Sequence, residues 1–464
     1  MSKKAVPKKE DKTDQKKDKD EKPVRRVRTP ELLRGFRDIL PDEQPYWEFL
    51  RDQVHAMAHA YSFQRMNTPI VEEKDLFVRT VGKQTDIIEK EMYLFEAPGG
   101  EKVALRPEMT ASFARAYINH GMLNLPQPVK LWDMGPCFRH DRPQAGRYRQ
   151  FNQFNFEVFG SEDAIIEAQL MVLLYSLYKA LGLEVVMHVN SIGTVVTRQE
   201  YKVELVAYYR SNRAKICDDC KRRLTKNPLR LLDCKAEECQ EVKVDAPQIV
   251  DWLDDPSKNH FMQVLEYLDE AEVPYQLDSQ LVRGLDYYNR TVFEVYPATE
   301  DDEERSQSAL GGGGRYDGLV ELLGGREGTG GCGFAMGMER TIIAMREAEV
   351  ELPDIYKADV FFAQLGDAAR RRGLKLYEEF RKLGIKVTEA FGKGALKSQL
   401  DLANKLGVAY TLILGQKEVL DDTIIIRDME SGSQEIVDVK KVASILEKKL
   451  GDSINPAGLT GKGG

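Results

Sequence analysis

Two strand-like segments joined by an arginine-rich loop constrain the fold of this chain more than any other stretch. They occupy residues 135–160, GPCFRHDRPQAGRYRQFNQFNFEVFG. Successive side chains of a strand point to opposite faces of a sheet, so the second segment has two unlike faces. One face is apolar, and the other carries Phe151, Gln153, Asn155 and Glu157. The apolar face predicts a core contact. The polar face predicts either a ligand surface or a solvated sheet face beside a basic hairpin.

The size and composition of the chain indicate a globular protein of several domains. Its 464 residues are 42% hydrophobic and 31% charged, which excludes a wholly disordered chain. Six cysteines without a secretory leader favour a reducing, cytoplasmic location. The longest apolar stretch, 170–183, is too short for a bilayer, so we expect no membrane partner. The net charge of −8 argues against a nucleic-acid partner only as an average, because basic residues cluster locally.

Changes of pattern along the chain predict its domain boundaries. The N-terminal stretch has 12 basic and 6 acidic residues, which predicts a disordered tail that is either solubilising or weakly RNA-binding. A helical, charged and cysteine-rich region resembles an insertion, and an alternating β/α pattern follows later. The predicted units are the tail 1–28, a first domain in two parts at 29–193 and 274–351, the insertion 194–273, a C-terminal domain 356–450 and a flexible tail 451–464.

Three further segments carry residues that suit a ligand. Glu108 and Thr110 lie where a helix begins, which suits an ammonium group, although Thr110 is equally suited to an N-terminal cap. Arg283 and Gly284 interrupt strand patterning, which predicts either backbone brought close to a ligand or an edge-strand bulge. Four consecutive glycines, 311–314, predict unusual dihedrals beside a ligand or a flexible surface loop.

Four arginines lie at turns or element junctions beside glycine or aromatic residues: Arg139, Arg147, Arg283 and Arg340. A guanidinium binds phosphate oxygens in bidentate fashion and stacks on a base. The sequence contains no G-x-x-x-x-G-K-[ST], which excludes a P-loop nucleotidase. The glycines at 331–337 precede no βαβ unit, which excludes a dinucleotide fingerprint. The arginines therefore predict polyphosphate recognition on an antiparallel sheet.

Four sequences, FRHDRPQAGRYRQF, LVRGLDYYNRTVFEV, GGGGRYDGL and GFAMGMER, resemble motifs of the histidyl-tRNA synthetase family of class II aminoacyl-tRNA synthetases. The resemblance runs from residue 30 to residue 450. It implies an α+β catalytic domain built on an antiparallel sheet (the class II synthetase fold), a helical insertion and a C-terminal α/β anticodon-binding domain. Class II motif 1 corresponds to 43–71, motif 2 to 138–151 and motif 3 to 333–340.

The resemblance also implies a reaction. A histidine–tRNA ligase activates L-histidine with ATP to histidyl-adenylate and pyrophosphate. It then transfers histidine to the 3′ end of tRNA(His) and releases AMP. ATP is a substrate used with Mg²⁺, no organic cofactor is expected, and the expected partners are L-histidine, tRNA(His) and a second copy of the chain. The alternative is a catalytically silent paralogue that acts as a regulatory or sensor subunit.

Roles carried over from the family fall into four groups. The residues expected to be catalytic are Arg139, Arg283 and Arg340. Those expected to bind histidine are Glu108, Met109, Thr110, Gln153, Glu157, Arg283, Tyr287 and Tyr288. Those expected to bind ATP are Arg139, Arg147, Phe151 and Arg340, and those expected to contact the tRNA acceptor end are Arg142 and Gln144. The chain departs from the family pattern at Met109, Asp141 and Asn152, which affects loop geometry and not the reaction.

Four of the six cysteines lie in the insertion with the spacing Cys217-x₂-Cys220-x₁₃-Cys234-x₄-Cys239. This spacing suits a structural zinc site, but a cytosolic insertion also carries reduced cysteines without metal. From the sequence we expect no bound metal, with structural zinc as the alternative. Cys137 and Cys332 have no paired base nearby in the sequence and are predicted to be core residues.

Overall fold

An eight-stranded mixed sheet is the scaffold of the larger part of this chain. The computed structural model describes residues 29–298, 309–353, 358–390, 392 and 394–451. The tail predicted at 1–28 lies outside the described residues, and so do positions 452–464 of the tail predicted at 451–464.

The strands of the described residues are numbered in chain order. They are β1 Gln64–Arg65, β2 Val71–Glu73, β3 Leu94–Glu96, β4 Lys102–Leu105, β5 Val129–Phe138, β6 Gln150–Phe159, β7 Val185–Ser191, β8 Tyr275–Leu277, β9 Asn289–Pro297, β10 Gly311–Arg315, β11 Gly331–Gly337, β12 Val360–Gln364, β13 Val387–Glu389, β14 Tyr410–Leu414, β15 Thr423–Asp428 and β16 Gln434–Asp438.

The α-helices of the same residues are α1 Gln44–Ala60, α2 Lys74–Thr80, α3 Thr110–Asn119, α4 Ala164–Ala180, α5 Val195–Ser211, α6 Asp218–Lys226, α7 Glu237–Val244, α8 Asp255–Glu270, α9 Leu319–Leu322, α10 Met338–Glu347, α11 Asp367–Lys382, α12 Leu396–Leu406, α13 Gln416–Leu420 and α14 Val442–Leu450. None of these helices combines the length and apolar character that a bilayer crossing requires.

The large sheet runs in the order β1-β5-β6-β11-β10-β9-β7-β8. All neighbouring pairs from β5 to β7 are antiparallel, and only the edge strands β1 and β8 pair in parallel. A small sheet of β2, β4 and β3 lies apart from it. The antiparallel sheet predicted from the sequence is confirmed at its centre.

One face of the large sheet packs against helices. In α1 the residues Trp47, Leu50, Val54 and Ala58 recur every three to four positions and are buried, so they form one apolar stripe. The helix α4 is apolar around most of its circumference and is buried in the same core. On β6 the alternation places Phe154, Phe156 and Val158 in this core, as predicted. The opposite face of β6 is also buried at Gln153, Asn155 and Glu157, so the solvated alternative for that face is wrong.

The four glycines 311–314 form most of a central strand, β10, so the alternative of a flexible surface loop is wrong. These glycines allow neighbouring atoms to approach the strand backbone closely, and they do not make the segment flexible. A Cβ added at Gly312 would lie 2.3 Å from the Phe293 carbonyl oxygen and 2.6 Å from Arg283 Nη1. Glycine is therefore needed here because neighbouring backbone and the Arg283 guanidinium occupy the space of a side chain.

The region predicted as an insertion is helical. It contributes α5, α6, α7 and α8 between β7 and β8, two strands that are parallel neighbours in the large sheet. Arg283 and Gly284 lie in the connection between β8 and β9, outside any strand, so the interpretation of a bulge within a strand is wrong.

The C-terminal part forms a separate five-stranded sheet in the order β13-β12-β14-β15-β16. Strand β12 is buried along its whole length and pairs in parallel with both of its neighbours. The strands and helices predicted here are present. Strand β16 is additional: most of its residues are exposed, and its sequence, QEIVD, lacks a clear apolar alternation.

Candidate active site

A buried carboxylate, Glu157, is the centre of a polar cluster on the face of β6 opposite the aromatic core. Thr110 Oγ1 donates to Glu157 Oε1 at 2.7 Å, and Asn155 Nδ2 donates to the same oxygen at 3.1 Å. The hydroxyl of Tyr316 donates to Oε2. Burial raises the pKa of Glu157 to about 8, although the three hydrogen bonds oppose that rise. The carboxyl group is therefore poised to change protonation near neutral pH.

Three buried tyrosine rings line the same cluster. The centroids of Tyr287 and Tyr288 lie 4.7 Å apart, and Tyr316 lies 5.7 Å and 6.2 Å from them respectively. The sequence predicted Tyr287 and Tyr288 as pocket residues but did not single out Tyr316. In the sequence, Tyr316 is distinguished only by its position directly after the glycine run and Arg315. That position does not indicate that its hydroxyl contacts the Glu157 carboxylate.

A glycine of β11 provides the room for this carboxylate. A Cβ added at Gly333 would lie 1.9 Å from Glu157 Oε2 and 2.7 Å from the Tyr316 hydroxyl. The pair of β11 and β6 places Gly333 directly opposite Glu157. Gly333 thus allows the Glu157–Tyr316 hydrogen bond to form within the sheet.

The start of α3 supplies a second buried carboxylate. Glu108 accepts a hydrogen bond from the Ala111 backbone N–H at 3.1 Å, and burial raises the pKa of Glu108. Because α3 begins at Thr110 and its hydroxyl donates to Glu157, the interpretation of Thr110 as a helix cap is wrong. Met109, between the two, is fully buried in the adjoining core.

Gln153 lies on the same face of β6 as Glu157 and is buried. Its Oε1 accepts a hydrogen bond from Cys137 Sγ at 3.5 Å. Burial raises the pKa of Cys137 to about 12, so this thiol is a packing residue and not a nucleophile. That agrees with the core role predicted for it.

Arg283 reaches the same region from the loop before β9. Its guanidinium pairs with Glu294, and its carbon Cζ lies 5.4 Å from the ring centroid of Tyr288. Burial opposes its charge, but Glu294 holds the pKa of Arg283 above the ordinary value. The Nε atom is buried and has no partner among the described residues. A buried donor without an acceptor marks a position where a ligand oxygen fits.

Glu294 is a site residue that the sequence did not reveal. It pairs with Arg283 and accepts a hydrogen bond from the Tyr296 hydroxyl at 2.6 Å. Nothing in the motif sequences indicates this pairing, because Glu294 lies on β9 among ordinary alternating residues.

The motif 2 loop between β5 and β6 brings Arg139 over Phe151. The guanidinium carbon lies 5.3 Å from the ring centroid, and Arg139 Nε donates to the Pro107 carbonyl oxygen at 2.8 Å. These contacts hold the planar guanidinium between a ring and the start of α3. Arg147, farther along the loop, pairs with Asp141 at 2.5 Å and is half exposed.

Arg340 at the start of α10 lies against the same loop. Its Nη1 donates to the Ala309 carbonyl at 2.5 Å, and its Nε donates to the Gly146 carbonyl at 3.4 Å. Gly146 has a φ of 67°, and a Cβ there would lie 3.1 Å from Arg340 Cγ, so glycine permits this contact. Burial and then the charge of Arg147 lower the pKa of Arg340. Two cations so close suit an anionic ligand.

A carboxylate from α10 fixes the base of the loop. Glu339 accepts hydrogen bonds from the Asn152 backbone N–H and side-chain amide, each at 2.9 Å. Asn152 is one of the departures from the family pattern, and its amide makes this contact. Arg142 and Gln144 lie exposed at the tip of the loop, where a large ligand can reach them.

The four insertion cysteines come together as one cluster. Their Sγ atoms all lie within 4.8 Å of one another. They are the only group of three or more His, Cys, Asp or Glu side chains with metal-binding geometry among the described residues. Cys332, in β11, is buried apart from them.

The arrangement combines two kinds of chemistry on one sheet face. Glu108, Glu157 and the tyrosines form a buried cluster of hydrogen-bonding groups, whose chemistry suits a small polar ligand. The arginines form a cationic surface next to it, which suits phosphate oxygens and a stacked base. The site residues predicted from the sequence lie on adjoining parts of the sheet and its loops, with Arg142 and Gln144 at the outer edge.

Comparison with known proteins identifies both parts of the chain. A family model described as histidyl-tRNA synthetase matches residues 35–341, and one described as anticodon binding domain matches residues 359–449. The histidine–tRNA ligase of Dehalococcoides mccartyi is 44% identical over 418 residues, which cover 90% of this chain and 99% of that protein. The corresponding protein of Pelotomaculum thermopropionicum is 41% identical, with 90% and 97% covered.

A solved structure agrees with these matches. The crystal structure of apo histidyl-tRNA synthetase from S. aureus has a TM-score of 0.74 and 34% identity, and it covers 90% of this chain and 100% of that one. The class II catalytic fold and the C-terminal anticodon-binding domain predicted from the sequence are thereby confirmed. By the extent of these matches, the chain belongs to the histidyl-tRNA synthetase family.

Proposed function

We infer that this chain is a histidine–tRNA ligase. A carboxylate oxygen of L-histidine attacks the α-phosphorus of ATP, the bond to the bridging oxygen breaks, and pyrophosphate leaves. The terminal ribose 3′-hydroxyl of tRNA(His) then attacks the carbonyl carbon of histidyl-adenylate, and AMP leaves. The observation that carries the proposal is the buried Glu157–Thr110–Tyr316 cluster beside Arg139, Arg283 and Arg340.

Histidine fits the buried pocket by its hydrogen-bonding groups. An imidazole has two polar nitrogens, and we propose that Glu157 and Tyr288 pair with them and that Tyr287 shapes the pocket. Glu108 and Thr110 face the same pocket and suit the α-ammonium group, with Gln153 nearby. In a neutral imidazole one nitrogen donates and the other accepts, so a carboxylate and a hydroxyl together can satisfy both.

ATP fits the arginine surface. Arg139 and Arg283 are proposed to hold the α-phosphate, and Arg147 the outer phosphates. Adenine is proposed to stack between Phe151 and Arg340. Neither step requires a protein nucleophile, so catalysis rests on positioning and on stabilising charge that develops on the phosphate.

Magnesium is proposed to arrive with ATP and to neutralise its phosphates. Mg²⁺ usually keeps several waters and takes ligands from substrate phosphates, with only one or two carboxylates from the protein. The described residues fit this pattern, because no cluster of three carboxylates lies among them.

The tRNA is proposed to contact two regions. Arg142 and Gln144 are proposed to contact the acceptor end, and their exposure at the tip of the motif 2 loop supports this. Residues 356–450 are proposed to bind the anticodon, and 194–273 to form an insertion in a catalytic domain made of 29–193 and 274–351. We also propose a homodimer, which sedimentation analysis of the purified protein tests directly.

Histidine-dependent exchange of pyrophosphate into ATP, followed by charging of tRNA(His) transcript, tests the function. We expect both activities, and no exchange with other amino acids. Exchange without charging would favour the alternative of a silent regulatory or sensor paralogue, and no exchange would refute the proposal. That alternative is disfavoured because the arginine set is complete and the anticodon-binding domain is present.

A further inference from the structure

The insertion cysteines come from three separate short elements that meet at one point. Cys217 precedes α6 and Cys220 lies in its first turn. Cys234 follows the 3-10 turn Pro228–Leu231, and Cys239 lies in the first turn of α7. Each of these elements is too short to be stable alone in water, since isolated helices below about 12–15 residues are marginal. They are held by packing in a hydrophobic core, and the cysteine side chains of Cys220, Cys234 and Cys239 are part of that core.

The sulfur positions match a tetrahedral metal site. A zinc ion with four thiolates at about 2.3 Å places the sulfurs about 3.8 Å apart. The Sγ atoms of Cys217 and Cys234 lie 3.8 Å apart, and all four lie within 4.8 Å of one another. A disulfide requires about 2.05 Å between sulfurs, and all four cysteines are free. A common partner at the centre accounts for four mutually close sulfurs better than two separate pairs do.

The backbone around the sulfurs is arranged to support negative charge on them. The Cys220 backbone N–H donates to Cys217 Sγ at 3.4 Å, and the Cys217 N–H donates to Cys239 Sγ at 3.2 Å. Cys220 and Cys239 lie in first turns of helices, where the helix dipole favours an anion. Hydrogen bonds to ligand atoms of this kind orient and tune metal ligands.

We propose that Cys217, Cys220, Cys234 and Cys239 bind one Zn²⁺ as a structural tetrathiolate site. Soft thiolates select zinc among the available divalent ions, and four protein ligands leave no open position for catalysis. Three of the four sulfurs are buried, as a closed structural site requires. The sequence alone favoured the absence of metal, and the convergence of the four side chains reverses that preference.

The site has a consequence for the neighbouring catalytic region. Lys226 of α6 donates to Glu89 at 3.3 Å, and Arg230 of the following turn lies 3.6 Å from Asp86. Both acidic partners lie at the π-helical segment near Glu91, next to the motif 2 loop. The zinc therefore fixes the elements that make these contacts, and its role is structural and not chemical.

Measurement of the metal content of the full chain tests the proposal. The protein is purified without a chelator and without metal-affinity chromatography. We expect about one zinc per chain, as one closed structural site requires, and retention of that zinc through dialysis. Cys220→Ser and Cys234→Ser should each lose it. Cys332→Ala is the matched control, because Cys332 is also buried but lies outside the cluster, and it should keep its zinc.

A second measurement does not depend on the variants folding. Wild-type protein stripped of metal and titrated with Co²⁺ should develop the intense visible absorption of tetrahedral cobalt–thiolate coordination, saturating at one equivalent and displaced by Zn²⁺. A zinc content below about one half per chain, together with no such absorption, would overturn the proposal. A structural tetrathiolate site binds zinc tightly enough to stay filled at neutral pH. Loss of zinc in the Cys332→Ala control but not in the cluster variants would also overturn it.

Discussion

Removing the charges of Arg283 and its partner Glu294 together tests whether Arg283 acts in adenylate formation or in histidine binding. Arg283 pairs with Glu294, and its buried Nε has no partner among the described residues. Replacing Arg283 alone leaves the Glu294 carboxylate without its cation, which adds a structural penalty to the catalytic one. The variant of choice is therefore Arg283→Gln with Glu294→Gln, which removes both charges and keeps the side chains similar in size.

The expected loss follows from the role of a charged donor aimed at developing negative charge. Removing one such donor raises the barrier by about 3–4 kcal/mol, which is about 10²- to 10³-fold in rate. In the ground state, Glu108 and the tyrosine pocket are proposed to bind the ammonium group and the imidazole of histidine. These contacts do not involve the carboxylate of histidine. We therefore expect the dissociation constant for histidine to rise less than about tenfold, or about 1.4 kcal/mol.

Two measurements on the same preparation give the comparison. Rapid-quench kinetics at saturating ATP and histidine measure the rate of adenylate formation, and calorimetry without ATP measures histidine affinity. Glu294→Gln alone is the companion variant, because it keeps the Arg283 cation but leaves it without its anion, so its loss measures the structural share of the effect. It should lose less than about tenfold in adenylate formation.

Equal losses in adenylate formation and in histidine binding would refute the proposed role of Arg283, because they would place the guanidinium on the amino acid alone. An equal loss in the Glu294→Gln companion variant would instead assign the effect to the position of the loop before β9.

Three further predictions concern the neighbouring residues. Tyr316→Phe removes a donor to Glu157; because a buried group that loses its hydrogen-bond partner costs about 1–3 kcal/mol, KM for histidine in pyrophosphate exchange should rise at least about fivefold. Gly312→Ala puts a Cβ 2.3 Å from the Phe293 carbonyl oxygen, and this overpacking should cost about 1–3 kcal/mol and lower the melting temperature. Glu157→Gln should flatten the fall in melting temperature that wild type shows between pH 4.5 and about 8.

The sign of the pH effect follows from the protons bound by Glu157. Below pH 4.5 the carboxyl is protonated in both states, and between that value and about 8 only the folded state keeps the proton. The unfolded state then binds fewer protons, so rising pH favours unfolding. An unchanged pH dependence in Glu157→Gln would contradict the raised pKa.

Matched controls exist for the other two variants. Tyr209→Phe removes a buried hydroxyl that has no partner among the described residues, so KM for histidine should not change. Gly318→Ala adds a Cβ that meets nothing within 4 Å, so the melting temperature should not fall. If Gly312→Ala were as stable as Gly318→Ala, close packing would not explain the glycine strand. If Tyr316→Phe left KM unchanged, Tyr316 would not support the histidine pocket.

Local periodicity was enough to predict the elements that carry the site. The alternation in β6 separated the core residues Phe154 and Phe156 from the buried polar residues Gln153 and Glu157, because strand geometry fixes which side chains share a face. Helix α1 follows the same principle, since its buried residues Trp47, Leu50, Val54 and Ala58 recur every three to four positions. In both cases the information lies within a few consecutive residues.

The partners of the site residues could not be predicted in this way. Glu294 and Arg283 are 11 residues apart, and Tyr316 and Glu157 are 159 apart, so only the folded sheet brings each pair together. For the glycine run, the sequence left open unusual dihedrals beside a ligand and a flexible surface loop, and only the second is wrong. Four glycines favour flexibility when considered alone, whereas the structure places them in a central strand where neighbouring strands leave no room for side chains.

The burial of the polar pocket bears on how the enzyme selects its amino acid. Glu157 is fully buried and its carboxylate already accepts three hydrogen bonds, and the tyrosine hydroxyls beside it lie in the same dry environment. Sites that hydrogen-bond a polar group of the substrate reject analogues that lack it by about 10⁴- to 10⁵-fold, and we expect the same for amino acids without the imidazole nitrogens. Discrimination then resides in the first step, so a second hydrolytic site is not required, and apolar isosteres of histidine should fail in pyrophosphate exchange before any tRNA is involved.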